Sequence, residues 1–351
     1  LNHANQEVQE ELNKVAKFWF DRGVDGFRLD AVHTINGDCA PYKDNLADPN
    51  FTLGPLPQDS QPFFRQLHDA AQLNQPVIQE FSKAYRKIAA EYDGDRFLMG
   101  EVSGDDGKAM LVSQTFTESG RLHATYNFDL LEHGGLTVSE MKEAISNAIE
   151  LFNGTGRLCF AFSNHDVPRS ASRQLSPLGI TLDKQDDLQF LLLQLETSLI
   201  GSCCIYQGEE LGLSDVTNIQ FDKMKDPWGL NFYPEFLGRD TCRTPMVWEK
   251  NKPMGGFTSA NESWLPISEL HMEKAGLDMA KSEGSIYNKF SSFLKWRRKQ
   301  PAMISSNKMS ELFGGPSEII FDRESETQIL RCKFDFELVK ATFEEVTYGT
   351  S

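Results

Sequence analysis

Three acidic residues stand where chemistry could be done: Asp30 in GFRLDAVH, Glu101 in MGEV and Asp166 in FSNHDVPR. Each follows a short apolar run that reads as a buried strand, so each carboxylate falls at a strand's C-terminal end. A lone Asp in such a place is ordinarily a loop cap or a surface charge. Three acids from three strands, aimed at a shared axis, change that reading. Converging carboxylates repel, which raises one pKa and leaves another low, and this suits a proton donor beside a nucleophile. The reaction class most in need of two such acids is glycoside hydrolysis. Arg28 lies two residues before Asp30, so strand alternation turns both side chains to one face. A fixed cation there would keep Asp30 ionised, although an ordinary structural ion pair is the plainer alternative. His165 beside Asp166 raises the question of a metal, but no third ligand lies at a useful spacing, and an imidazole hydrogen-bonded to sugar hydroxyls fits better.

The elements that must hold these residues alternate along the chain. Val8, Leu12, Val15 and Trp19 recur at helical spacing up to Gly23, and VDGFRLDAV (24–32) follows as a strand. Ile78, Phe81, Tyr85, Ile88 and Tyr92 mark a second helix before RFLMGEV (96–102), and ATYNFDLL (124–131) is a third strand. Thr137 and Glu140 form a capping box opening a helix with Met141, Ile145, Ala148 and Phe152 on one face, before RLCFAFSNHD (157–166). Leu188, Leu191, Leu195 and Leu199 make the next helix, before SCCIYQGEEL (202–211) as the fifth strand. Strands so separated imply an α/β fold with a parallel sheet, either open and doubly wound or closed as a barrel. Polar residues crowd the C-terminal end of every strand, which favours the barrel, because a barrel gathers chemistry from many strand ends. Long irregular stretches at 37–62 and 213–281, the latter carrying Trp228, Arg239, Arg243 and Trp264, are expected to shape a site. Past Trp296, EIIFDR and QILRCKFDF read as strands of a small antiparallel module.

Composition narrows the partners. The 351 residues carry 35 Lys+Arg against 51 Asp+Glu, a net charge of −16, with no basic run beyond KWRRK at 295–299. So acidic a chain repels phosphate backbones and anionic lipid, so neither nucleic acid nor a membrane surface is an expected partner. The apolar stretch 188–206 is interrupted by Gln194, Glu196 and Ser198 and reads as a core helix and strand, not a membrane span. Six cysteines (Cys39, Cys159, Cys203, Cys204, Cys242, Cys332) form no CxxC pair; Cys159, Cys203 and Cys204 lie in apolar runs and are expected to be buried free thiols. The sequons at Asn50, Asn153 and Asn261 are about what chance supplies, and with no signal peptide in view the expected location is cytoplasmic.

GFRLDAVH (26–33), MGEV (99–102) and FSNHDVPR (162–169) resemble, in order, the second, third and fourth signature segments of the α-amylase superfamily, glycoside hydrolase family 13. LNHANQEVQEEL at the start, YQGEELGL (206–213), GRDTCRTPMVW (238–248) and GGFTSANESWLP (255–266) are similar to the oligo-α-glucosidase branch, and the likeness extends to about Phe336. The resemblance implies a (β/α)8 TIM barrel with strands 4 to 8 present and strands 1 to 3 missing, as residues 1–300, followed by a partial small antiparallel β domain, 301–351. It implies Asp30 as nucleophile, Glu101 as general acid/base and Asp166 as the acid that holds ring hydroxyls in the distorted transition state, supported by Arg28 and His165. Arg243 in CRTPM matches an arginine that grips the non-reducing terminal glucose and makes the enzyme exo-acting. Ala31, directly after the nucleophile, resembles members that prefer α-1,4 links or sucrose-like substrates, where those preferring α-1,6 links carry Val.

The implied function is that of a retaining α-glucosidase acting on a small carbohydrate, maltose, sucrose or an oligosaccharide. Siblings with the same acids are transglucosylases, sucrose isomerases and trehalose-forming enzymes. The alternative from another class is an inactive, non-catalytic amylase-like protein, a reading against which the presence of all three acids argues. Barrels of this kind take about 250 residues and eight strands, yet only five strands are visible here. The family's first signature, its insert domain and the calcium ligands of many relatives would lie upstream of Leu1, so no cofactor is assignable. We therefore expect an N-terminally incomplete chain that, expressed alone, is insoluble or inactive because barrel edges lie open.

Overall fold

The computed structural model describes residues 1–3, 5–35, 76–102, 109–131, 134–152, 158–305 and 308–347. The expected loop at 37–62, with Cys39 and the sequon Asn50, lies outside the described residues, as does Asn153. In chain order the elements are α1 (Gln6–Phe20), β1 (Gly26–Leu29), α2 (Pro76–Ala89), β2 (Phe97–Gly100), α3 (Ala109–Phe116), β3 (Ala124–Tyr126), α4 (Val138–Phe152), β4 (Leu158–Phe160), α5 (Ser170–Arg173), α6 (Gln185–Ser198) and β5 (Ser202–Cys203). They fall into two compact units, one drawn from residues 1–129 and 147–160, the other from 130–146 and 161–347.

In the first unit β1, β2, β3 and β4 pair side by side, all parallel, with Gly26 opposite Phe97, Met99 opposite Ala124 and Thr125 opposite Leu158. Local chemistry sets the flanking turns. Asn5 caps α1, its side chain accepting from the Glu7 amide at 2.9 Å, and Gly23 ends the approach to β1 at φ +88°, a conformation open to glycine. Gly26 serves another purpose: a Cβ there would lie 1.9 Å from the Phe97 carbonyl oxygen, so only a bare backbone allows β1 against β2. Ala16, Phe20, Ile78, Ile88, Leu98, Val102, Phe116 and Leu122 form the core of this unit. Each of the larger of these side chains contributes about 1.5–3 kcal/mol on leaving water. Tyr85, whose hydroxyl donates to the Leu12 carbonyl at 3.1 Å, ties α2 to α1.

The strands are shorter than the apolar runs suggested. Regular pairing in β1, β2, β3 and β4 stops at Leu29, Gly100, Tyr126 and Phe160; beyond β3 and β4 the Asn127 and Asn164 side chains accept backbone amides two or three residues on and turn the chain. The run from 202 contributes only Ser202–Cys203 before a 3₁₀ turn at Glu209–Leu211. Cys159 is buried as expected, but Cys203 is exposed. An apolar run shows what a strand can bury, whereas burial itself needs an element packed over that face.

In the second unit four antiparallel strands, β6 (Lys308–Met309), β7 (Glu318–Glu324), β8 (Ile329–Asp335) and β9 (Lys340–Glu345), lie in that order. β7 and β8 are the two strands expected from alternation: Ile319, Phe321, Leu330, Cys332 and Phe334 point inward and are buried. β9, in a stretch with no clear sequence pattern, closes the sheet; its Phe343 packs on Trp296 and Phe293 with ring centroids 4.9 and 5.2 Å away. Arg323, 2% exposed, donates through Nη1 to the Ser198 and Leu199 carbonyls at 2.6 and 2.9 Å, placing a cation at the C-terminal end of α6. No helix among the described residues is long and apolar enough to cross a membrane.

Candidate active site

Residues expected to do chemistry fall in two groups, one in each unit. In the first, Arg28 points from β1 and its guanidinium forks between two carboxylates. Nη1 pairs with Asp30 Oδ1 and Nη2 lies 2.8 Å from Glu101 Oε2. The same Glu101 oxygen accepts the Ala31 amide at 2.8 Å. Ala31 itself takes a left-handed conformation, φ 39° and ψ 41°, a strained state of order 1–3 kcal/mol for a residue with a side chain. Glu101 is also anchored through its backbone: its N–H donates to the Leu29 carbonyl at 2.9 Å and its carbonyl accepts from the Val32 amide at 3.1 Å. Exposure divides the two acids. The Asp30 side chain is 81% exposed and that of Glu101 is 11% exposed. One carboxylate is thus open to an incoming molecule, the other is held by Arg28 and the Ala31 amide at the end of β2, and the Arg28 cation between them offsets their mutual repulsion.

The second group is built around Asp166. Asn164, buried, accepts the Asp166 and Val167 amides on Oδ1 at 2.8 and 3.1 Å, an Asx turn that ends the run after β4 and presents the acid. Asp166 Oδ1 receives Arg243 Nη2 at 2.7 Å and Arg239 Nη1 at 3.0 Å, while Oδ2 lies 3.4 Å from His165 Nε2. Arg243 Nε also donates to the His165 carbonyl at 2.6 Å, so one guanidinium holds both residues of the pair.

Arg239 was visible only as part of a long loop. It is the more deeply secured of the two arginines: Nη2 and Nε bind Asp226 at 2.8 and 3.1 Å, and its guanidinium carbon lies 4.6 Å from the centroid of the Trp228 ring. Burial works to raise the Asp226 pKa, but the Arg239 guanidinium and the Arg239 amide outweigh it and hold the carboxyl below its usual range. The Arg239 pKa is raised in turn, chiefly by the hydrogen bond to Asp226. Asp240 Oδ2 accepts the Lys225 and Asp226 amides at 2.6 and 2.9 Å, closing the loop on itself. Arg239 and Arg243 flank the short 3₁₀ turn Asp240–Cys242, and it is their common pairing with Asp166 that brings the two side chains together. Among the described residues no three His, Cys, Asp or Glu side chains group as a metal site.

With this geometry in hand, comparison with known proteins is specific. The family model for the α-amylase catalytic domain matches residues 1–306. A probable α-glucosidase of Rhizobium meliloti (strain 1021) is 37% identical over 305 residues, 86% of this chain and 53% of that protein. The α-glucosidase of Schizosaccharomyces pombe is 26% identical across 98% of this chain and 62% of its own length. The crystal structure of an α-glucosyl transfer enzyme, XgtA, matches with a TM-score of 0.84 and 31% identity, over 96% of this chain and 60% of that one. The chain thus spans about half to three-fifths of the length of the relatives it matches. By the family match and the likeness in fold, the chain belongs to the α-amylase catalytic-domain family, glycoside hydrolase family 13, whose architecture is a (β/α)8 barrel with a small antiparallel β domain.

Proposed function

We propose that this chain carries the catalytic acids of an exo-acting, retaining α-glucosidase that releases glucose from the non-reducing end of short α-glucosides. The observation that carries the reading is the Arg28 fork, which holds an exposed carboxylate, Asp30, beside a nearly buried one, Glu101. In the reaction Glu101, protonated, donates its proton to the glycosidic oxygen as the bond from that oxygen to the anomeric carbon breaks. Asp30 attacks the anomeric carbon from the opposite face, giving a glucosyl ester and a free aglycone. Glu101, now ionised, takes a proton from water, whose oxygen displaces Asp30 and leaves glucose with its original configuration. Asp166 and His165 would accept and donate to ring hydroxyls, and Arg243 would close the pocket on the terminal glucose. The five parallel-type strands correspond, on this reading, to strands 4 to 8 of the barrel, with 1–300 as barrel and 301–351 as part of the β domain, a division the match over 1–306 supports. Ala31 after the nucleophile points to α-1,4 or sucrose-like links.

A second reading, glucosyl transfer to a hydroxyl other than water, is favoured by the likeness to XgtA. It shares the glucosyl ester and differs only in the acceptor. Hydrolysis of p-nitrophenyl α-D-glucopyranoside tests the proposal: Asp30→Asn, an isostere that cannot attack, should leave the fold intact and lower kcat by about 10³ or more. Parent-like turnover in that variant removes the assignment, and nitrophenol released in excess of glucose selects the transfer reading.

A further inference from the structure

Behind the Asp166 group, inside the second unit, a buried cation joins the two segments that meet there. Arg169 stands three residues after Asp166 and is 1% exposed. Its own amide donates to both carboxylate oxygens of Asp215, at 3.1 and 3.0 Å, which pins the backbone where the Asp166 turn ends. Its guanidinium reaches away from that turn: Nη1 donates to the Gln207 carbonyl at 2.7 Å and Nη2 to the Cys242 carbonyl at 3.0 Å. The Tyr206 hydroxyl donates to the same Cys242 carbonyl at 3.0 Å, and the Arg169 guanidinium carbon lies 4.8 Å from the centroid of the Tyr206 ring. Cys242 is fully buried, and the next residue is Arg243, whose Nη2 is 2.7 Å from Asp166.

The path closes a loop of contacts: Asp166 to Arg169 along the chain, Arg169 to Cys242 by hydrogen bond, Cys242 to Arg243 along the chain, and Arg243 back to Asp166 by an ion pair. Burying a guanidinium is costly, and its charge is offset in part by the buried Asp215 and Glu209 carboxyls, on both of which it acts. Beyond that charge balance, its two hydrogen bonds fix carbonyls in direction as well as distance. Two donors on one carbonyl do this for Cys242, whose peptide plane sets where the Arg243 side chain starts.

We infer that Arg169 and Tyr206 are positioning residues, which by holding the Cys242 carbonyl set the register of Arg243 against Asp166. Neither is proposed to touch the sugar. The functional consequence rests on the proposed function, since it supposes that Arg243 and Asp166 receive the terminal glucose; the mechanical claim does not.

Tyr206→Phe in the whole chain keeps the ring beside Arg169 and deletes one of the two donors. Loss of one hydrogen bond should speed amide exchange at residues 242 and 243, whose N–H groups bond to Arg239 and Asp240, by about twofold to tenfold, with β7 and β8 unchanged. The KM for p-nitrophenyl α-D-glucopyranoside should rise by a similar factor with kcat altered less. In an Arg243→Ala background the same substitution should leave KM where Arg243→Ala put it. Arg169→Lys, able to reach one carbonyl but not two, should give the same pattern more strongly. Unchanged exchange at 242 and 243, or a Tyr206→Phe effect on KM that is equal with and without Arg243, overturns the inference. Parent-like turnover in Asp30→Asn refutes the proposed function instead; where the chain turns over no glucoside, as open barrel edges lead one to expect, the exchange result decides the positioning claim alone.

Discussion

Removing the Arg28 fork is the perturbation with the largest consequence that can be worked from the geometry. The guanidinium makes two charge-assisted contacts, one to Asp30 and one to Glu101. Such a bond is worth about 1.5–3 kcal/mol where water is excluded and about 0–1 kcal/mol at an exposed site. Asp30, 81% exposed, belongs with the exposed pairs, and Glu101, 11% exposed, near the upper end of the first range. Together they amount to about 3 kcal/mol. If that energy is used to keep one acid ionised and the other placed as charge moves between them, Arg28→Met lowers kcat/KM by about a hundredfold or more. Arg28→Lys supplies a point charge without a fork, and so holds one carboxylate at a time; about a tenfold loss is expected. The assay is steady-state hydrolysis of p-nitrophenyl α-D-glucopyranoside between pH 4 and 9, with circular dichroism to confirm folding. Losing a cation makes nearby carboxylates harder to ionise, so the acidic limb of the pH profile should move to higher pH in Arg28→Met. A methionine variant within tenfold of the parent, or a lysine variant as damaged as the methionine one, would refute the argument.

Other consequences are simpler. Glu196 lies fully buried on α6, and its pKa is held well above the usual carboxylate range, first by desolvation and then by the Glu209 carboxyl nearby. Its folded pKa therefore exceeds its unfolded one, so its contribution is intact below about pH 4.5 and stability is lost as pH rises above that value. Glu196→Gln should flatten this decline and raise Tm at pH 8 by roughly 2 °C or more, measured by differential scanning calorimetry; a lower Tm at pH 8 would contradict it. Gly26→Ala drives a methyl into the Phe97 carbonyl, 1.9 Å away, and should cost about 2 kcal/mol or more in a urea titration, since backbone cannot yield as a side chain can. Arg323→Met strips the Ser198 and Leu199 carbonyls of their donor and should destabilise the chain by about 2 kcal/mol, with no effect on KM.

Some of this was open to inspection because it is local. The alternation of Ile319, Phe321 and Leu330, Cys332, Phe334 announced β7 and β8, since a period of two needs only neighbouring residues to be legible. β9 was not, because its burial comes from Phe343 reaching Trp296 and Phe293, a contact made with residues some fifty positions away. The apolar run around Cys203 promised a buried thiol that the fold leaves exposed, for the same reason in reverse. Beyond β3 and β4 the chain is turned by Asn127, which accepts the Asp129 amide, and by Asn164, which accepts the Asp166 and Val167 amides, and an apolar run does not announce such turns.

The amino-acid order alone was enough to single out the three acids and Arg28 as candidates, because each sits in or at the end of an apolar run and the types themselves limit the chemistry. It could not say that Arg28 divides its fork between Asp30 and Glu101, that the Ala31 amide donates to Glu101, or that Arg239 joins Arg243 on Asp166 with Asp226 and Trp228 behind it. Nor could it show Arg169 and Tyr206 meeting on one carbonyl thirty-six or more residues away. Residue types specify which charges are available, whereas distance between them is a property of packing, and electrostatic effects at 3 Å depend on little else.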